Sequence, residues 1–103
     1  MTMPQATTVR DNRSELRYEL LLDGRVIGEI LYRVEPDAIA LVHTDVDPAY
    51  EGHGLGTRLI EGALSDLRQR GTHVIPICPM VIAYLRRHPE YADLVVPDPA
   101  EPE

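Results

Sequence analysis

Two stretches of this chain gather residues able to do chemistry. In Glu51-Gly52-His53-Gly54-Leu55-Gly56-Thr57, glycines alternate immediately before a run that reads as a helix. Glycines let a backbone approach a ligand closely, and the first N–H groups of a helix lack intrahelical acceptors, so such a junction is an anion site. Thr57 adds a hydroxyl donor, and a pyrophosphate suits the loop; a tight turn would use the same glycines. The second stretch is Pro76-Ile77-Cys78-Pro79, where the one cysteine precedes a proline fit to open a helix. As the N-cap, Cys78 would have its thiolate favoured; as a buried residue it would act only as a small hydrophobe. His43 ends a strand-like run and titrates near neutrality, so it could deprotonate an ammonium, or it could be a polar boundary residue. Asp45 is a second option for that base.

Other chemistries are excluded. All ten cations are Arg and none is Lys, which removes Schiff-base lysines and the phosphate-loop lysine. The glycines do not follow the G-x-G-x-x-G spacing of dinucleotide-binding loops. His43, His53, His73, His88 and Cys78 show no metal-ligand spacing, so no metal is expected.

The elements that must position these residues are readable from periodicity. Leu16, Tyr18, Leu20 and Leu22 alternate with polar residues as in a half-buried strand, and Asp23-Gly24 is a hairpin signal. Arg25 to Val34 follows, with Val26, Gly28, Ile30, Tyr32 and Val34 on one face and Ile27 and Leu31 on the other, predicting a strand covered on both sides. Ala38 to Thr44 is a third strand after the turn Glu35-Pro36-Asp37. The period then changes: Leu55, Leu59, Ile60, Ala63, Leu64 and Leu67 share a helical face that ends at Gly71. His73 to Cys78 is a short strand, with Pro76 marking an edge or a bulge. Residues 79–87 form a last helix ended by Pro89. The order is β-β-β-α-β-α: an α/β (α+β) chain with an antiparallel meander, a βαβ unit and a short C-terminal helix. The crossover leaves its two strands parallel, with His43–Thr44, Cys78 and the start of the long helix at one sheet edge. Residues 1–13 and 97–103 read as flexible tails around one domain, 14–96.

Length and charge narrow the partners. With 103 residues there is room for one core. The net charge of −7 is the wrong sign for binding nucleic acid and suits a basic or amine-bearing partner instead. No segment is long and apolar enough for a membrane span or a signal peptide, and a lone cysteine fits a reducing compartment, so a cytoplasmic location is expected.

Val46-Asp47-Pro48 leading into Gly54-Leu55-Gly56 resembles the V-x-P and [Q/R]-x-x-G-x-[G/A] signature of the GCN5-related N-acetyltransferases. With Pro76-Ile77-Cys78-Pro79 and Ala83 to Tyr91, it resembles the small single-domain branch of that superfamily, over residues 14–96. The resemblance implies an acetyl-CoA-dependent acyltransferase fold and activity. Backbone groups at Thr44, Asp45 and Val46 would hold the pantetheine arm; Gly52, His53, Gly54, Leu55, Gly56 and Thr57 would hold the pyrophosphate. It implies Cys78 as an acetyl-accepting nucleophile and Tyr84 as the acid for the departing thiolate, although Tyr84 could equally be a core tyrosine. Glu51 stands where the family has Gln or Arg. The acceptor would be a small amine or a basic protein segment. The full-length family's extra N-terminal strand and helices and its C-terminal hairpin are missing, which favours a second reading: a module that binds CoA or acetyl-CoA for interaction or sensing, without transferase activity.

Overall fold

The computed structural model describes residues 7–98. Its element order is β1 (Thr7–Asn12), β2 (Arg17–Leu22), β3 (Arg25–Glu35), β4 (Ala38–Val46), a 3-10 turn (Pro48–Tyr50), α1 (Leu55–Arg70), β5 (His73–Pro76), α2 (Pro79–Arg87) and a second 3-10 turn (Pro89–Leu94). One five-stranded sheet runs in sequence order, antiparallel from β1 to β4 and parallel between β4 and β5. This is the meander and βαβ unit expected from periodicity, with one strand added at its start. Among the described residues no helix is long and apolar enough to cross a membrane.

That added strand corrects the reading of residues 1–13 as a tail; residues 1–6 of that segment, and 99–103 of the C-terminal one, lie outside the described residues. β1 carries a single large hydrophobe, Val9, so hydrophobic alternation is silent there. Polar contacts hold it. Glu19 on β2 is 1% exposed, and it accepts from Arg10 Nε on β1 and from Arg17 Nε, each at 2.7 Å. Asp11 accepts from the Tyr32 hydroxyl at 2.6 Å and from Arg70 of α1 at 2.9 Å. Gly62 lets β1 approach α1, since a Cβ there would lie 2.5 Å from Val9 Cγ2.

α1 buries Leu59, Ile60, Ala63, Leu64 and Leu67 against the sheet, the face its spacing predicts. It stops at Gly71, whose positive φ of 68° suits glycine and whose N–H donates to the Arg68 carbonyl. α2 packs on the same side, and both helices share one core with Tyr18, Leu20, Ile30, Leu41 and Val74. The opposite face of the sheet carries a second, smaller cluster of Ala38, Ala40 and Ile75, joined by Ile77 and Val96.

β3 is therefore not covered on both sides: Val26 and Leu31 are exposed. A register shift between Leu20 and Leu21 pairs Leu20 with Gly28 and Leu21 with Val26, so Ile27 is the extra residue of a bulge. The bulge turns Ile27 into the core, at 2% exposure, instead of leaving it on the far face. The outer edge of β5 is partly closed by Val95, bridged to Val74, and by the Val96 N–H donating to the Val74 carbonyl.

Candidate functional site

β4 and β5 separate at Leu41. The ladder joins Ala38–Leu41 to His73–Pro76, and then the Ile77 and Cys78 amides both donate to the Leu41 carbonyl, at 3.1 and 2.9 Å. Pro76, with no N–H to give, stands where pairing ends. Among the described residues no strand pairs with that edge of β4 beyond it, so backbone groups from His43 to Val46 are left open there.

A second bulge decides which side chains meet there. β3 and β4 shift register between Leu31 and Tyr32, which pair with His43 and Leu41, leaving Val42 as the extra residue. Side chains alternate with period two, so one inserted residue exchanges the faces beyond it. Thr44 and Val46 consequently turn inward with Leu41 and are buried, while His43 and Asp45 are exposed on the other side. The imidazole of His43 is thus not brought to the thiol.

The glycine loop forms the other wall. Asp47 caps the turn Pro48–Tyr50 by accepting from the Ala49 amide at 2.9 Å, and the Asp47 N–H donates to Ile27, tying the loop to the sheet. Gly52 and Gly54 hold φ of 84° and 74°, a region costly for side-chain-bearing residues. Gly54 is the N-cap of α1, with no side-chain cap and no acidic residue in the first turn. The amides of Leu55, Gly56 and Thr57 accordingly lack intrahelical acceptors, and nothing in that turn offsets the positive end of the helix. A cleft of about 220 Å³ lies before them, lined by Thr44, Asp45, Val46, Tyr50, Glu51, Gly52, Gly54, Leu55, Gly56 and Met80. His53 and Thr57 sit on the same loop and helix start, exposed.

Cys78 is the N-cap of α2, and is 4% exposed. Its Sγ lies 3.3 Å from Thr44 Oγ1. Burial pushes the thiol up, but the Thr44 hydroxyl and the first-turn amides of Val81 and Met80 outweigh it, leaving the thiol below its ordinary value. Cys78 lies behind Thr44 and Met80, which line the cleft as it does not. Tyr84 is placed elsewhere: its ring stacks on His88 at 4.0 Å and leans on Tyr91 at 6.2 Å. Burial, with Tyr91, Glu61 and Glu90 nearby, raises its phenol. It therefore keeps its proton, outside the set of residues that line the cleft.

Sequence reasoning named Thr44 for its backbone and missed its hydroxyl, which only the bulge turns inward. It also missed Met80, whose side chain is 47% exposed and whose sulfur would meet a Cβ on Gly56 at 3.3 Å. The position of Met80 one residue into a helix after Pro79 was the available signal.

Comparison with known proteins agrees with this geometry. The profile of the GCN5-related N-acetyltransferases matches residues 17–94. A GCN5-like protein from Staphylococcus aureus shares the fold at a TM-score of 0.64 and 21% identity, over 91% of this chain and 92% of that one. The ribosomal-protein-S18-alanine N-acetyltransferase of Escherichia coli is 26% identical with a TM-score of 0.58, over 70% of this chain and 50% of its own. A Brucella melitensis acetyltransferase solved in complex with acetyl-CoA is 27% identical with a TM-score of 0.56, over 73% and 53%. The chain thus spans about half the length of these last two. No curated protein matches it.

Proposed function

This chain belongs to the GCN5-related N-acetyltransferase family, and from that premise we propose that it transfers an acetyl group from acetyl-CoA to an amine, with Cys78 as an acyl acceptor on the way. The supporting observation is the meeting of two features at one cleft, the uncapped start of α1 and the unpaired edge of β4, with a thiol held below its ordinary pKa directly behind the cleft-lining Thr44. Acetyl-CoA supplies an activated thioester when bound. The amides of Leu55, Gly56 and Thr57 and the loop from Gly52 suit its pyrophosphate, and the backbone of Thr44, Asp45 and Val46 suits the amide-bearing arm. Glu51 is exposed beside that loop, with room to turn into solvent.

The Cys78 thiolate attacks the thioester carbonyl, forming a new S–C bond while the CoA thiolate leaves. The acceptor ammonium gives up a proton to solvent, the neutral amine attacks the acyl-cysteine, the Cys78 thiolate departs, and the surplus proton of the new amide nitrogen also passes to solvent. His43 is given no part, because it lies on the other face. Tyr84 is given none because its ring packs on His88 and Tyr91, whereas Cys78 meets the cleft-lining Thr44. The net charge of −7 favours a cationic acceptor, either a small amine or a basic protein segment. The ribosomal-protein acetylation of the Escherichia coli relative is consistent with the second.

Two measurements test this reading. A rise in thermal midpoint is expected with acetyl-CoA but not with ATP or NAD. Ligand at 100 times its dissociation constant adds about 2.7 kcal/mol. For a domain of this size that is roughly 10 °C or more. Acetyl label should then appear on Cys78 by mass spectrometry, and Cys78→Ser should bind acetyl-CoA yet lose transfer. Unchanged transfer in that variant rejects the nucleophile. Binding with no transfer to any amine leaves the sensing module.

A further inference from the structure

We propose that Thr44 is a positioning residue for Cys78: its hydroxyl fixes the sulfur directly behind the cleft and favours the thiolate over the thiol. The role in turnover rests on the reading above, whereas the effect on the thiol does not.

Three observations carry it. Thr44 Oγ1 and Cys78 Sγ are 3.3 Å apart, with the two residues 8% and 4% exposed, so little water competes for either group. Thr44 reaches the sulfur only because the bulge at Val42 reverses the faces of β4; without it His43 would point inward. Thr44 also lines the cleft while Cys78 does not, which puts Thr44 between cleft and sulfur.

The hydroxyl can serve both states of the sulfur. A neutral thiol donates to Oγ1, and once the sulfur ionises the hydroxyl turns to donate to it. The second hydrogen bond is charge-assisted and the stronger, so the pair favours ionisation. The first-turn amides of α2 act in the same direction. Among the described residues no charged side chain is hydrogen-bonded or ion-paired to the sulfur. His43 and Asp45 of β4 are exposed on the far face, Glu61 of α1 lies toward Tyr84, and Arg86 and Arg87 close the far end of α2. His73 begins β5, at the end where Ala38 starts β4.

The test is a pH titration of the thiolate's ultraviolet absorbance in the full chain, with Cys78→Ser as the blank. Because Cys78 is the only cysteine, the difference reports one sulfur. Thr44→Val should move the midpoint upward, leaving about tenfold less thiolate at neutral pH, as expected for losing a hydrogen bond to a charged group. Thr44→Ser should restore the wild-type profile. Thr44→Ala removes the hydroxyl without a second methyl and serves if the valine variant does not fold. A profile unmoved in the variants lacking the hydroxyl overturns the proposal, as does a serine variant that behaves like valine. The titration needs neither acetyl-CoA nor an acceptor, so its result stands apart from loss or retention of transfer in Cys78→Ser.

Discussion

At the end of the sheet where α1 finishes, polar groups satisfy one another; at the end where α1 begins, they are left open. Tyr18 and Tyr32 each donate to a carboxylate, Asp66 and Asp11 respectively, at 2.6 Å. Both carboxylates also bind Arg70, at 2.9 Å. Burial and the neighbouring carboxylate raise both phenols, Tyr32 to about 12, so they remain donors at any physiological pH. At the opposite end, the first amides of α1, the β4 edge past Leu41 and Thr44, with Cys78 behind it, border a cleft. A buried polar group without a partner is costly, so a fold keeps donors unpaired where water or a ligand can reach them. The closed end holds β1 to the sheet and to α1. The open end is where a ligand can add stability.

The largest effect should come from blocking the open end. Gly56→Val puts a branched side chain against Met80, where even a Cβ would lie 3.3 Å from its sulfur. The thermal shift with acetyl-CoA, about 2.7 kcal/mol at 100 times the dissociation constant, should largely vanish while the free protein melts near its usual temperature. A shift that survives would remove the glycine loop from the binding site.

Opening the closed end should cost somewhat less. Glu19→Ala strips the partner from Arg10, Arg17 and Asn12 and should lose about 2 kcal/mol in denaturant titration at neutral pH. Burial pushes this carboxyl up, but the three donors outweigh it and hold it below the ordinary range. Its contribution is therefore complete above the unfolded value, about 4.3, and fades as pH falls through the folded one. Wild type should lose stability on acidification more steeply than Glu19→Gln. Equal slopes would show that Glu19 is not the group responsible.

The smallest effect is expected on the outer face of the open end, at His43. Exposed on the face away from α1, it should tolerate alanine within about 0.5 kcal/mol and with transfer intact. A large loss of transfer would mean that the acceptor approaches from that face and that His43 meets it.

Legibility in the sequence followed the range of the interactions. The core face of α1 and its glycine stop were readable because neighbours three and four residues apart decide them. Cys78 as an N-cap was readable from Pro79 alone. β1 was not, since Glu19, Tyr32 and Arg70 hold it from 7 to 59 residues away. The place of His43 near the end of β4 was readable, but its face was not, because one unpaired residue at Val42 reverses every side chain after it.

The order from β2 to α2, the parallel crossover, the glycine loop ahead of α1 and the place of Cys78 at the start of α2 were thus determined by the chain's own local pattern of apolar spacing, glycine and proline. Which side chains share the cleft was decided only in the tertiary structure. Bulges depend on how two strands pair, and divergence at Leu41 depends on where a third runs out of hydrogen bonds. Those are relations between distant segments, and no local period records them.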